Sequence, residues 1–177
     1  MSFGIDESRE RVPVSIAVLT VSDTRTEETD ASGHLLVDRA KAAGHRVHAK
    51  LILKDEREPI VAQLRAWIAS GTVDVVLVTG GTGITGRDVT PDAVLDVIDK
   101  EIPGFGELLR ASSLKSVGLA AMQSRATAGV AGSTLIFAIP GSTGACRDAW
   151  DEILVHQLDS RYRPCNLVEM LPRLAER

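Results

Sequence analysis

The chain has 177 residues, of which 44% are hydrophobic and 25% charged, with a net charge of -4. That balance excludes a disordered, collagen-like or disulfide-stapled chain, and it leaves no basic field to hold a nucleic-acid backbone. Two Trp, one Tyr and three Phe are too few rings for a platform that stacks bases. Cys146 and Cys165 have no CxxC pairing and read as free thiols of a reducing compartment. The N-terminal stretch MSFGIDESRERV has no apolar signal core, and no apolar run approaches the ~20 residues that span a bilayer. A soluble, cytoplasmic protein is therefore expected.

Residues 1–12 read as a short flexible polar arm and 13–177 as one domain. Val14–Val21 is apolar and β-branched, as a buried strand is. Ser32–Ala43 follows as a helix, with Ser32 at its N-cap and Gly44 as its stop. Arg46–Leu53 alternates as a strand, and Ile60, Val61, Leu64, Trp67 and Ile68 form a helical stripe closed by Gly71. Val73–Thr79 is a second buried strand and Pro91–Ile98 a helix. Phe105–Ser112 is helical, whereas Ser116–Gly129 fits either helix or strand. Leu135–Ile139 is a strand and Gly144–Leu158 a helix. Strands alternating with helices predict a three-layer αβα domain with a mainly parallel central sheet. Ligands of such sheets sit beyond the carboxyl ends of the strands.

The richest strand end is Thr79-Gly80-Gly81-Thr82-Gly83-Ile84-Thr85-Gly86-Arg87-Asp88-Val89-Thr90-Pro91-Asp92. Its glycines let backbone N–H groups face an anion, and Thr90-Pro91-Asp92 reads as a capped helix start. Gly81, Gly83 and Gly86 spell GxGxxG, the only support for a nicotinamide-dependent (NAD(P)) oxidoreductase. Arg87–Thr90 intervene before the helix, which is out of place for that fingerprint. Arg87-Asp88 likewise stands where a phosphate loop needs Lys-Ser or Lys-Thr. A carboxylate beside an anion loop is explained by a bridging Mg²⁺, or else by a solvated Arg87–Asp88 pair. Asp55 and Asp23 follow two other strands, each also readable as a turn residue. Pro140-Gly141-Ser142 is a second glycine-flanked helix entry, equally an anion site or a plain cap.

The run TGGTGITGRDVTPDA at 79–93, continued by IPGFGE at 102–107, resembles the MoaB/MogA family of molybdenum cofactor biosynthesis. Thr20-Val21-Ser22-Asp23, Gln123-Ser124-Arg125 and Ile139-Pro140-Gly141-Ser142 match as well. The flanking segments, and RPCNLVEMLP at 163–172, look more like the MoaB branch and place Cys165 in a docked tail. The resemblance implies a molybdopterin-binding fold, a homotrimer or homohexamer, and a downstream molybdenum insertase as a partner. It also implies transfer of AMP from Mg-ATP to the terminal phosphate of molybdopterin, or, in a non-catalytic relative, molybdopterin binding alone. Carried over by position, Asp55 and Asp88 are the two essential acids and hold Mg²⁺. Thr79, Gly80, Gly81, Thr82, Gly83, Ser113, Ser124, Pro140, Gly141 and Ser142 fall where the family holds pterin and nucleotide. Ile84-Thr85-Gly86 departs from the Pro-Ala-Arg of the MogA branch.

Overall fold

In the computed structural model, which describes residues 3–174 and 176, the elements follow one another in alternation. They are β1 (Gly4–Ile5), β2 (Ser15–Val21), α1 (Ala31–Ala42), β3 (Arg46–Leu53), α2 (Arg57–Ser70), β4 (Val75–Thr79) and α3 (Thr90–Leu95). Then come β5 (Lys100–Glu101), α4 (Pro103–Val117), β6 (Thr127–Ala131), β7 (Thr134–Ile139), α5 (Thr143–Ala149), α6 (Val155–Gln157) and β8 (Tyr162–Arg163). The central sheet has the order β3-β2-β4-β7-β6-β5. Its β3, β2, β4 and β7 run parallel, while β6 is antiparallel to both its neighbours, β7 and β5. The expected αβα architecture is what forms.

The alternation along each strand sorts the core into two layers. Ile16, Val18, Val75, Leu77, Leu135 and Phe137 point to the face covered by α1, α4 and α5, where Leu36, Leu109 and Trp150 are buried. Ala17, Leu19, Val76, Val78, Ile136 and Ala138 point to the other face, against Ile60, Leu64 and Trp67 of α2 and Val94 of α3. With both faces covered, β2 and β4 read as unbroken apolar runs.

Several boundaries differ from the expectation, each for a physical reason. Helix α1 is capped by Asp30, whose carboxylate accepts the Gly33 N–H at 2.9 Å, and not by Ser32. Ser32 instead donates to the Gly141 carbonyl at 2.8 Å. Thr90 is the first residue of α3 rather than its cap, and Val89 at the cap position makes no side-chain bond. The ambiguous stretch 116–129 divides three ways. Helix α4 runs on to Val117, a 3₁₀ turn spans Gly118–Gln123, and β6 follows. A π-helical turn at Trp150–Leu154 links α5 to α6 in place of one continuous helix.

At the termini, β1 pairs antiparallel with β8, so residues 4 and 5 of the expected arm lie along the C-terminal segment. That segment is anchored by Val168 in the core and by buried Asn166, whose amide donates to the Ser160 and Tyr162 carbonyls. Cys165 is exposed and Cys146 buried, both as free thiols. No helix among the described residues is long and apolar enough to cross a membrane.

Candidate functional site

The carboxyl ends of β2, β3, β4 and β7 open onto a cleft of about 300 Å³. Thr20, Arg25, Ser32, Asp55, Gly80, Gly81 and Gly141 are among its lining residues. Three backbones meet here too closely for side chains. A Cβ on Gly80, which sits at φ 103°, would lie 2.1 Å from the Val21 carbonyl oxygen. A Cβ on Gly141 would lie 3.0 Å from the Gly80 Cα. The glycines thus draw three strand ends together and leave bare backbone facing the cleft.

Beneath this floor lies a satisfied ionic network. Asp30 receives the Thr20 hydroxyl and the Gly33 N–H and pairs with Lys50 at 2.8 Å. Burial works to raise the Asp30 pKa, but Lys50 and these hydrogen bonds outweigh it and hold the carboxylate below its usual range. A Cβ on Gly33 would come within 2.2 Å of the Asp30 carboxylate, which makes glycine necessary there.

Asp55 stands on the cleft wall, its N–H donating to Asp23 at 3.3 Å. Burial raises its carboxyl pKa above the ordinary value, and the neighbouring Asp23 carboxylate adds to the shift. Asp23 in turn takes a bidentate grip from Arg87, with contacts of 2.7–3.0 Å. The Arg87–Asp88 pair imagined from sequence is therefore replaced by Arg87–Asp23, which ties the glycine loop to the loop after β2.

Asp88 faces elsewhere and is not part of the cleft lining. Its Oδ2 accepts the Thr85 N–H at 2.8 Å and the Thr85 hydroxyl at 2.6 Å, closing the turn on itself. Burial opposes ionisation of Asp88, yet the Thr85 bonds prevail and lower its pKa. Among the described residues no cluster of three or more His, Cys, Asp or Glu is disposed to hold a metal. For Mg²⁺ the relevant observation is Asp55: a hard-oxygen donor on the cleft wall, pushed up by burial and by a neighbouring carboxylate. A divalent cation bound by one or two carboxylates plus substrate phosphates fits that setting.

The remaining expected positions are spread more widely. Thr79 is fully buried and donates to the Pro140 carbonyl at 3.1 Å, with the Cys146 sulfur also 3.1 Å away. Burial pushes the Cys146 thiol up to about 11, which suits a packing residue and no nucleophile. Thr82 and Gly83 use their carbonyls to hold Arg125, at 2.8 Å to its N–H and 2.7 Å to its Nε. Ser142 caps α5 by accepting the Ala145 N–H at 3.1 Å. Ser113 and Ser124 lie outside the cleft. Ser113 sits on α4, and Ser124 accepts the Ala126 N–H at 3.3 Å. The structure thus gathers Asp55, Thr79, Gly80, Gly81 and Gly141 in one place and leaves Asp88, Ser113 and Ser124 apart from it.

Asp30, which the sequence did not single out, also lines the cleft. Asp30 carries an N-cap signal three residues ahead of Gly33, which the reading assigned to Ser32. Thr90, outside the cleft lining, carried only its cap signal, and its hydroxyl is fully buried with no hydrogen-bond partner among the described residues. The GxGxxG glycines at 81–86 end before α3 begins at Thr90, so they do not open a helix as a dinucleotide fingerprint does.

Comparison with known proteins places the chain among relatives. A family described as a probable molybdopterin binding domain matches residues 17–160. The molybdenum cofactor biosynthesis protein B of Escherichia coli K12 is 56% identical over 159 residues, 90% of this chain and 94% of that protein. The protein of the same name from Bacillus subtilis is 43% identical, over 87% of this chain and 92% of its own. A crystal structure of a molybdenum cofactor biosynthesis protein B superposes with a TM-score of 0.85 and 43% identity, covering 96% of this chain and 100% of that one. The tungsten cofactor synthesizing protein MoaB of Pyrococcus furiosus superposes with a TM-score of 0.76 and 31% identity, over 93% and 98% of the two chains. The chain belongs to the MoaB/MogA family of molybdopterin-binding proteins of molybdenum cofactor biosynthesis.

Proposed function

We propose that the chain binds molybdopterin in the cleft beyond β2, β3, β4 and β7 and adenylylates its terminal phosphate with Mg-ATP. The observation that carries this reading is the convergence of Gly80, Gly81 and Gly141 around a wall carboxylate, Asp55. Joining two phosphates brings two polyanions together, which demands close backbone approach, local cations and fixed alignment. Bare glycine backbone supplies the approach. Arg25 is the guanidinium on the cleft, and Arg87, held by Asp23, stands beside Asp55 on its outer side. Asp55 would hold Mg²⁺, which when bound neutralises charge between the phosphates.

Exposed Leu108, Leu114, Val117, Leu119 and Met122, on α4 and the turn after it, give an apolar surface for the trimer or hexamer implied by the resemblance. A second reading, a carrier that binds molybdopterin without chemistry, is favoured by one observation: the Asp88 carboxylate is committed to Thr85.

A turnover assay decides between them. Purified chain, molybdopterin, ATP and Mg²⁺ are incubated and the pterin products weighed by mass spectrometry. The expected result is adenylylated pterin with matching pyrophosphate. Pterin that is bound but unmodified, where a MogA-branch control turns over, leaves the carrier.

A further inference from the structure

Two motifs marked in the sequence lie outside the cleft, and the fold brings them together behind the glycine loop. Ile102-Pro103-Gly104-Phe105-Gly106-Glu107 opens α4, and Gln123-Ser124-Arg125 leads into β6. A Cβ on Gly106 would lie 2.3 Å from the Ala126 carbonyl oxygen, so glycine lets the two backbones touch. One turn further along α4, Arg110 Nη1 donates to the Ser124 and Ala126 carbonyls at 3.3 and 3.0 Å. The backbone on either side of Arg125 is thereby fastened to α4.

Arg125 in turn grips the glycine loop at both ends. Its N–H donates to the Thr82 carbonyl at 2.8 Å and its Nε to the Gly83 carbonyl at 2.7 Å. Nη2 donates to the Asp88 carbonyl, and Nη1 to the Asp92 carboxylate at 3.1 and 3.2 Å. Gly83, Asp88 and Asp92 thus share one planar guanidinium, whose fork fixes their spacing. Between the gripped ends, Ile84, Thr85, Gly86 and Arg87 are exposed. The Thr90 N–H also closes the loop onto the Gly81 carbonyl at 3.0 Å, but a single bond leaves the loop free to turn about it. The fork removes that freedom. Arg125 is not among the residues that line the cleft, and Asp92 balances its charge, so it acts through the loop.

We infer that Arg125 is a positioning residue: its guanidinium clasps the neck of the glycine loop and fixes how Gly81 and its neighbours face the cleft, with Arg110 and α4 as its anchor. The inference deepens the function proposed above and rests on it for what the loop holds.

The test sets the fork against the charge. Lysine at 125 keeps the charge and can pair with Asp92, yet its ammonium is a point donor and cannot span three fixed partners. At Arg110 one nitrogen makes both bonds, so lysine can serve there. Backbone hydrogen exchange of the whole chain, without ligand, reads the Thr85 and Asp88 amides, which are bonded within the loop. Arg125→Lys and Arg125→Met are both expected to speed their exchange by at least about tenfold, with the β4 and β7 amides and the urea midpoint near wild type. Arg110→Met should loosen the loop by about threefold or more, and Arg110→Lys should leave it as it is. Asp92→Asn removes only a half-exposed ion pair and should change loop exchange by less than about twofold. Adenylyl transfer should fall about tenfold in both Arg125 variants.

Rescue by Arg125→Lys, an Asp92→Asn effect as large, or faster exchange across the whole sheet overturns the inference, since charge or general stability would then explain the residue. A loosened loop with undiminished transfer overturns it too. A wild type that transfers no AMP, with the loop loosened in both Arg125 variants, removes the proposed reaction and keeps the clasp.

Discussion

The two ends of the central sheet are built from the same residue types but on opposite terms. At the amino end the starts of the parallel strands are tied to one another. Asp74 accepts the Ser15 N–H at 2.7 Å and donates its own N–H back to the Ser15 carbonyl. Thr134 donates to the Val73 carbonyl at 2.9 Å, and His45 Nδ1 accepts the Val14 N–H at 3.3 Å. At the carboxyl end, by contrast, the buried Thr90 hydroxyl has no partner among the described residues, Gly80 and Gly81 hold left-handed backbone, and burial, with the Asp23 carboxylate, raises the Asp55 pKa. Strand starts locked together at one end and bare backbone at the other put rigidity below the sheet and the candidate site above it.

The largest blow to the carboxyl end would come from a single methyl. In Gly80→Ala the new Cβ meets the Val21 carbonyl, a backbone atom that cannot swing away, at a φ of 103° that alanine rarely adopts. A loss on the order of 3–4 kcal/mol is expected in urea denaturation, together with loss of pterin binding. Full stability with normal binding would mean that the strand ends are not drawn together as described.

The amino end breaks through a proton. Burial, reinforced by Arg11 and opposed by Asp159, lowers the His45 pKa from 6.5 to about 4. Its ring also stands edge-on to Trp150, at 6.3 Å between centroids. The unfolded chain takes up a proton at His45 below pH 6.5, while the folded chain does so only near 4. Stability is thus full above the upper value and is lost as pH falls through that window, by about 3 kcal/mol. His45→Asn offers a similar acceptor that does not titrate there. Its denaturation midpoint should change far less between those two pH values, and an identical pH dependence would remove His45 from the account.

The sequence made one half of this contrast plain and hid the other. The apolar runs of β2 and β4 announce strands buried on both faces, and Gly71 ends α2 in the left-handed conformation its position suggested. The stretch leading into β6 stayed open between helix and strand because Thr127-Ala128-Gly129-Val130-Ala131 is small. Gly129 is glycine because a Cβ would lie 2.6 Å from Ile98. The glycine loop was legible as a site from its composition alone. Which way its side chains turn was not, since Thr85 competes for Asp88 only once the loop is closed. Thr90 was hidden in the same way. Thr-Pro-Asp is a good helix start in any chain, and nothing in it shows that the Thr90 hydroxyl ends up fully buried.

Two aspartates sharpen the comparison with the smallest effects. Asp74 and Asp23 each accept a backbone N–H from a neighbouring loop, Ser15 and Asp55 respectively. Asp74 is half-buried at the amino end, so Asp74→Ala leaves the Ser15 N–H without a partner and should cost about 2 kcal/mol with activity retained. Asp23 is exposed at the carboxyl end, where water replaces it readily and its pair with Arg87 is screened. Asp23→Ala should therefore leave the urea midpoint where it is. Yet Asp23 links the Asp55 backbone to Arg87, so its loss frees both groups to drift relative to the cleft. A fall of about tenfold in adenylyl transfer is expected from such misplacement. One substitution should then move stability without chemistry and the other chemistry without stability. If both move the same quantity, the two ends of the sheet do not divide the work.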